Sequence, residues 1–334
     1  MPAVSVASGV RQGDPLAPLL FNLAVEPLLT ALRLRLQGVN LPWGSFKTGA
    51  FADDLTVGLS QLDVPVLQSV LVDYGRASNG QVNVDKSNIL DLSRSQQTPQ
   101  WIVHSGLTVH DHTQPLRVLG YDLVLSPEGV QEDWPALHDA LHAKAHSLQR
   151  RSCALQGRVL LANSMVLSKL WYKLRLSSPS LAQLSAFRAI AWEAVWAGHT
   201  GLKPGALTGV RPCRYGGVGL LDPTAQMYAL QAMWFAKYLT TRPTPPWGAA
   251  LKHFLSTVPG GTSALADTIT GLQKRTIPPC WRSFTEAWKK LSPNGRLKWQ
   301  SGLRLRPCAS RSPQPPVHAL SRTVGSLSLW NGML

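Results

Sequence analysis

Residues 49–57 read "GAFADDLTV", two adjacent aspartates set into an otherwise apolar run. With Phe51 and Ala52 before them and Leu55 and Val57 after, the stretch predicts two short strands around a tight turn that carries Asp53 and Asp54. Carboxylates in apolar surroundings are destabilising unless something neutralises them. Adjacent side chains leaving a hairpin on opposite faces can hold a divalent cation through one or both, and oxygen ligands suit Mg²⁺. The same pair also fits an ordinary turn or helix cap. The choice between these readings rests on the surrounding sequence.

Upstream, "GVRQGDPLAPLLFNLAVEPLLTALRLRL" reads as a turn feeding a helix. Asp14 before Pro15 has the form of an N-cap with proline at the first helical position. Leu19, Leu20, Leu23, Pro27, Leu28 and Leu32 recur near helical spacing, which predicts a core-facing helix. Downstream, Val66, Leu67, Val70, Leu71, Tyr74 and Ala77 mark an amphipathic helix over 65–78, stopped by "SNG". "QVNVDKSNILDL" then predicts a strand. The fold class expected for residues 1–95 is therefore α+β: helix, aspartate hairpin, helix, strand. Residues 96–130 read as a connecting loop with short strands that include "LRVLGYDLVLS". Residues 131–240 read as a helical region, and 241–334, beginning at the linker "RPTPPW", as a basic, tryptophan-containing and partly disordered tail.

Charge divides the chain unevenly. Residues 1–100 hold 7 Lys+Arg against 8 Asp+Glu, which leaves 26 against 10 for the rest of a chain whose net charge is +15. That surplus points to a polyanionic partner, nucleic acid before anionic membrane, or to a generically basic tail. Cys153, Cys213, Cys280 and Cys308 lie far apart, with no pairing that suggests a disulfide framework or a zinc site. "MPAVSVASGV" does not read as a signal peptide, since no basic stretch precedes an apolar core. The most apolar stretch is interrupted by Pro18, Glu26 and Pro27 within the roughly 20 residues that a membrane span needs. Nucleus or cytoplasm is the expected compartment.

In order along the chain, "GVRQGDPLAPLLFNLAVEPLL", "FADDL", "ASNGQVNVDKS" and "VLGYDL" resemble successive motifs of the reverse transcriptases of non-LTR (LINE-like) retrotransposons. "LQGRVLLANSMVLSKLWY" and "RYGGVGLLD" resemble segments that follow the polymerase core in the same elements. The resemblance implies a partial polymerase palm followed by a helical thumb. It makes Asp53 and Asp54 the catalytic, metal-holding aspartates, with two Mg²⁺ or Mn²⁺ ions in the intact family. Phe51 and Ala52 match the positions before them. Arg11, Gln12 and Gly13 match a turn beside the incoming nucleotide and template, where glycine permits close backbone approach; a plain capping turn is the other reading. Asn83 and Lys86 match "N-x-x-K-S", in which a lysine can stabilise or protonate the leaving pyrophosphate, unless it is an ordinary surface charge. Leu119 and Gly120 match the hairpin associated with the primer end. Lys144, Arg150, Arg151, Arg158 and Lys169 are candidate phosphate contacts. The implied partners are an RNA template, a DNA primer or target, and deoxynucleoside triphosphates, with no membrane; the oligomeric state is left open.

The pattern also departs from the family. Its other catalytic carboxylate lies upstream of "RQGDP", and only eight residues precede Gly9. The expectation is an N-terminally truncated chain, inactive or nearly so. The alternative is a non-catalytic nucleic-acid-binding protein of the intron-maturase kind. No Cys/His zinc segment ends the chain. Trp281, Trp288 and Trp299, among ten Lys/Arg between Lys274 and Arg311, suit either base stacking or a small packed core.

Overall fold

The computed structural model describes residues 13–92, 108–110, 114–124, 129–149, 153–197, 205–241, 247–257, 277–291, 298–300 and 304–306. The chain divides into two compact units, Met1–His112 and Thr113–Leu334. Among the described residues it has α-helices and small two- and three-stranded sheets, an α+β composition.

In the first unit, helix α1 (Ala17–Arg35) opens with Pro18 in its first turn and carries Arg33 and Arg35 in its last, where cations complement the helix dipole. Asp14 is not its N-cap. The Asp14 carboxylate accepts the Leu16 N–H at 2.8 Å and its carbonyl accepts the Ala17 N–H at 3.1 Å. It thus closes a turn that precedes the helix. The expected core face is only half realised. Leu28, Leu32 and the following Leu36 are buried against Val70, but Leu19, Leu20 and Leu23 are 60%, 47% and 71% exposed. Periodicity marks which stripe is apolar, and no described element covers the first half of that stripe.

Pro27 and Glu26 lie inside a continuous helix, and Glu26 pairs with Arg33 at 2.9 Å. Among the described residues α1 is the one helix long and apolar enough, by length and composition, to cross a membrane.

Strands β1 (Val39–Leu41) and β2 (Gly44–Phe46) form one antiparallel hairpin, and β3 (Thr48–Phe51) and β4 (Asp54–Val57) a second. Helix α2 (Val64–Ser78) packs on α1 and ends at Asn79, whose left-handed φ of 57° makes the predicted stop. Buried Asp63 fastens the two helices. Its carboxylate accepts the backbone N–H groups of Gln37 (2.6 Å), Gly38 (3.0 Å) and Ser60 (2.9 Å) and the Ser60 hydroxyl (2.8 Å). The strand expected over "QVNVDKSNILDL" is short. A 3₁₀ turn spans Val84–Lys86, and β5 (Asn88–Leu90) pairs in parallel with β6 (Thr108–His110).

The second unit starts with β7 (Leu116–Val118), β8 (Tyr121–Leu123) and β9 (Val130–Gln131), an antiparallel meander. Helix α3 (Trp134–Gln149) follows. The segment "LQGRVLLANSMVLSKLWYK" is not one uniform helix. It is α4 (Leu155–Leu161), a π-helical turn (Ala162–Val166) and α5 (Ser168–Lys173), with the Leu167 N–H reaching Ala162 O at 2.9 Å. Helix α6 (Leu181–Trp196), capped by Ser180 and Gln183, packs on α3 around Leu141, Leu170, Leu184 and Phe187. Next come α7 (Ala206–Val210), α8 (Pro223–Thr240), α9 (Gly248–Ser256) and α10 (Pro279–Leu291).

Helix α10 lies on α8, and its tryptophans are core residues. Trp288 is 1% exposed and meets Phe235 edge-on at 5.8 Å, while Trp281 packs against Phe235 and Phe284. Packing therefore accounts for these two rings. Trp299 sits on a short strand (Lys298–Gln300) paired with Arg304–Arg306, and its side chain is outside the described residues.

Candidate functional site

The aspartate pair stands on the hairpin that its sequence predicts. Leu55 and Val57 of β4 turn toward the small core of α1 and α2. By strand alternation Asp54 and Thr56 then face outward, and both are exposed. Phe51 and Asp54 form the last pair of the ladder, so Ala52 and Asp53 make a two-residue turn. Ala52 adopts φ 51°, a left-handed conformation uncommon outside glycine and asparagine. Asp53 is exposed as well.

Gly13 is exposed with φ 91°, and a side chain there would meet no atom within 4 Å, so backbone conformation and not crowding calls for glycine. Arg11 and Gln12 lie outside the described residues. Asn83 and Lys86 are on a turn and not on the expected strand. The Asn83 carboxamide oxygen caps that turn by accepting the Lys86 N–H at 3.2 Å, and the lysine side chain is exposed.

Two neighbouring carboxylates are the right chemistry for one edge of a Mg²⁺ shell. Among the described residues, however, no group of three or more His, Cys, Asp or Glu side chains is gathered that could hold a metal ion. The donors present do not make a complete two-ion centre, and no reaction step follows from them alone.

In the second unit, Leu119 and Gly120 form the two-residue turn of the β7–β8 hairpin, with φ 49° and 82°. Positive φ at both positions is the geometry that matches strand twist in tight hairpins. Helix α5 holds this turn from below. The Tyr172 hydroxyl donates to Leu119 O, and Lys173 Nζ donates to Gly120 O at 2.5 Å. The Tyr121 hydroxyl donates back to Tyr172 O, and the two rings stack with centroids 4.6 Å apart. Lys173 also pairs with Glu132 at 2.7 Å, where the glutamate side chain is 5% exposed. Burial pushes the Glu132 carboxyl above its ordinary value, against the opposing hydrogen bond and charge of Lys173.

The candidate phosphate contacts divide. Lys169 is exposed on α5 and Lys144 is half-buried on α3. Arg158 is committed to the fold: its guanidinium donates to Cys153 O at 3.2 Å and to Ala197 O, tying the start of α4 to the end of α6. Arg150 and Arg151 lie outside the described residues.

Residues 4–123 match the family model described as reverse transcriptase (RNA-dependent DNA polymerase). A 149 kDa protein of transposon TX1 from Xenopus laevis is 25% identical over 251 residues, covering 74% of this chain and 19% of that protein. The Pol polyprotein of the type-1 retrotransposable element R2 from Popillia japonica is 34% identical over 85 residues, or 25% of this chain and 14% of the polyprotein. That of the type-2 element R2DM from Drosophila melanogaster is 36% identical over 81 residues, covering 24% and 8%. The N-terminal part of this chain carries a reverse transcriptase domain of the non-LTR retrotransposon kind.

The chain spans less than a fifth of the length of these relatives. The match to the reverse transcriptase domain takes in Gly13, Asp53, Asp54, Asn83, Lys86, Leu119 and Gly120, and ends at the close of β8. The residues that brace the Leu119–Gly120 turn, Glu132, Tyr172 and Lys173, lie beyond it. Sequence reasoning passed over all three. "LWYK" reads as part of an amphipathic helix, and nothing in its spacing signals a hairpin some fifty residues upstream as its partner.

Proposed function

We propose that this chain supplies the reverse transcriptase region of a non-LTR retrotransposon protein, one that engages an RNA template, a DNA primer or target end, and deoxynucleoside triphosphates. The observation that carries this reading is the exposed Asp53–Asp54 pair at the tip of the β3–β4 hairpin, inside the segment that matches the reverse transcriptase family. Arg11, Gln12, Gly13, Phe51, Ala52 and Asn83 are the positions assigned to the nucleotide, and Lys86 the one assigned to its triphosphate. Divalent ions, Mg²⁺ or Mn²⁺, would supply neutralisation of the developing phosphate charge. Asp53 and Asp54 are the residues that would hold them.

We further propose that residues 1–334 on their own bind template and primer without extending the primer. Support comes from the donor set, since the described residues add no third carboxylate to the pair. The surplus of positive charge after residue 100 favours a purely nucleic-acid-binding remnant of the maturase kind as the second reading.

Primer extension on a homopolymer RNA template with Mg²⁺, paired with RNA binding, tests whether these residues extend a primer. Incorporation by the wild type that is lost in Asp53→Asn would establish a working polymerase. Absence of incorporation together with RNA binding that weakens steeply with salt is the expected result. Binding indifferent to salt would contradict both readings.

A further inference from the structure

The loop from Arg211 to Leu221, between α7 and α8, is held by a dense set of hydrogen bonds, yet its tip is open to solvent. Its turn is closed by backbone hydrogen bonds from Tyr215 and Gly217 to Pro212 O (2.9 and 3.3 Å), from Gly216 to Cys213 O (3.1 Å), and from Gly219 to Arg211 O (2.9 Å). Gly217 sits so close that a Cβ on it would lie 2.0 Å from Arg211 O, and Gly216 and Gly219 adopt φ 76° and 78°. From the π-helical turn, Asn163 clamps the far side. Its amide donates to Gly219 O at 3.1 Å and its carbonyl accepts the Leu221 N–H at 3.0 Å.

This rigid loop displays Arg211, Arg214 and Tyr215, all exposed. Tyr215 is 55% exposed, with the Arg214 guanidinium 4.9 Å from its ring centroid. No acidic residue occurs between Glu193 and Asp222, and Asp222 is taken by Arg188 at 2.6 Å. A preordered loop loses little freedom when a ligand arrives. An exposed aromatic ring suits a nucleobase, and exposed guanidinium groups suit phosphate. A duplex hides its base faces, whereas a single strand offers both groups at once.

We propose that the Arg211–Gly219 loop is a binding site for single-stranded nucleic acid, with Tyr215 stacking on a base and Arg211 and Arg214 contacting phosphates. It goes beyond the function proposed above, because it requires nothing of Asp53 or Asp54 and holds whether or not the chain extends a primer.

The test is fluorescence anisotropy of the full 334-residue chain with labelled single-stranded RNA and DNA of about 12 nucleotides, and with duplexes of the same sequence. Tyr215→Ala is expected to weaken single-strand binding about tenfold while changing duplex binding much less. Tyr215→Phe should retain binding, because the ring and not the hydroxyl stacks. Arg214→Gln should weaken binding and reduce the salt slope by about one. Lys252→Gln, an exposed cation on α9, controls for charge alone. Equal losses on RNA and DNA indicate that base and phosphate are read, and a loss on RNA alone adds the ribose. Tyr215→Ala that binds single strands like the wild type, or that loses affinity equally for duplexes, would overturn the proposal. So would Tyr215→Ala that loses binding only to phosphatidylserine vesicles. Because Tyr215 is exposed, an unchanged thermal transition is expected, which separates loss of the site from loss of fold.

Discussion

Phe51 and Asp54 face each other across the last rung of the β3–β4 hairpin, so that Ala52 and Asp53 alone make its turn. The consequence is that both aspartates stand at the tip: Asp53 by its turn position, and Asp54 by strand alternation, which sends Leu55 and Val57 into the core. The turn makes Ala52 left-handed at φ 51°. Alanine tolerates this at a cost of about 1 kcal/mol, and a β-branched residue tolerates it less well. Ala52→Val should destabilise the first unit by about 1–2 kcal/mol, and Ala52→Gly should be neutral or mildly stabilising. Urea unfolding measures both. A neutral Ala52→Val would contradict the turn geometry.

Asp63 should make the first unit sensitive to acid. Burial raises its carboxyl, but the hydrogen bonds from Ser60, Gln37 and Gly38 outweigh that and bring it below its ordinary value of 3.8. A depressed carboxyl contributes stability that is present above the unfolded-state value and lost as pH falls through the folded one. Stability should therefore hold down to about pH 4 and decline below it. Asp63→Ala, which orphans several donors, should cost about 3 kcal/mol at neutral pH and flatten that acid decline. Denaturation of wild type and variant between pH 2.5 and 7, on scales of about this range, reads both effects.

Glu132 should act in the opposite sense. Its carboxyl is raised, so the folded state holds a proton more readily than the unfolded chain does. Stability of the second unit should rise as pH falls from the raised folded value toward 4.5. The difference between wild type and Glu132→Gln isolates this contribution, and a difference that does not vary with pH in that interval would refute it.

Lys173 should be costly to remove. Its side chain is 18% exposed, and its ammonium group serves Glu132 and the carbonyl of Gly120 together. Lys173→Met leaves a buried carboxylate unpaired, for an expected loss of about 3 kcal/mol. Adding Glu132→Gln should recover part of it, because the uncompensated charge is then gone. Tyr172→Phe removes only the hydrogen bond to Leu119 O and should cost about 1 kcal/mol.

The sequence was most readable where local rules decide the structure. Alternation about Asp54 and the stop at Asn79 are both short-range, and both appear as expected. The ordered motifs named the family because several fixed patterns recur in series, whatever the structure of each. What failed depended on distant partners. Leu19, Leu20 and Leu23 share a stripe with Leu28 and Leu32, but periodicity cannot say whether a neighbour covers it. "QVNVDKSN" looks like a strand until the Asn83 side chain takes the Lys86 amide and winds a turn. The π-helical turn around Asn163 has no local signature, because the residue's partners are Gly219 and Leu221. Trp281 and Trp288 read equally as stacking platforms or as core, and the packing of α10 on α8 decides for core.

The central claim is that Asp53 and Asp54 are one edge of an incomplete divalent-metal centre. Mn²⁺ binding to the full 334-residue chain, followed by electron paramagnetic resonance with an RNA template and DNA primer present, tests it most directly. The expected result is weak binding of a single ion that disappears in Asp53→Asn. Two tightly held ions that persist in Asp53→Asn would contradict it.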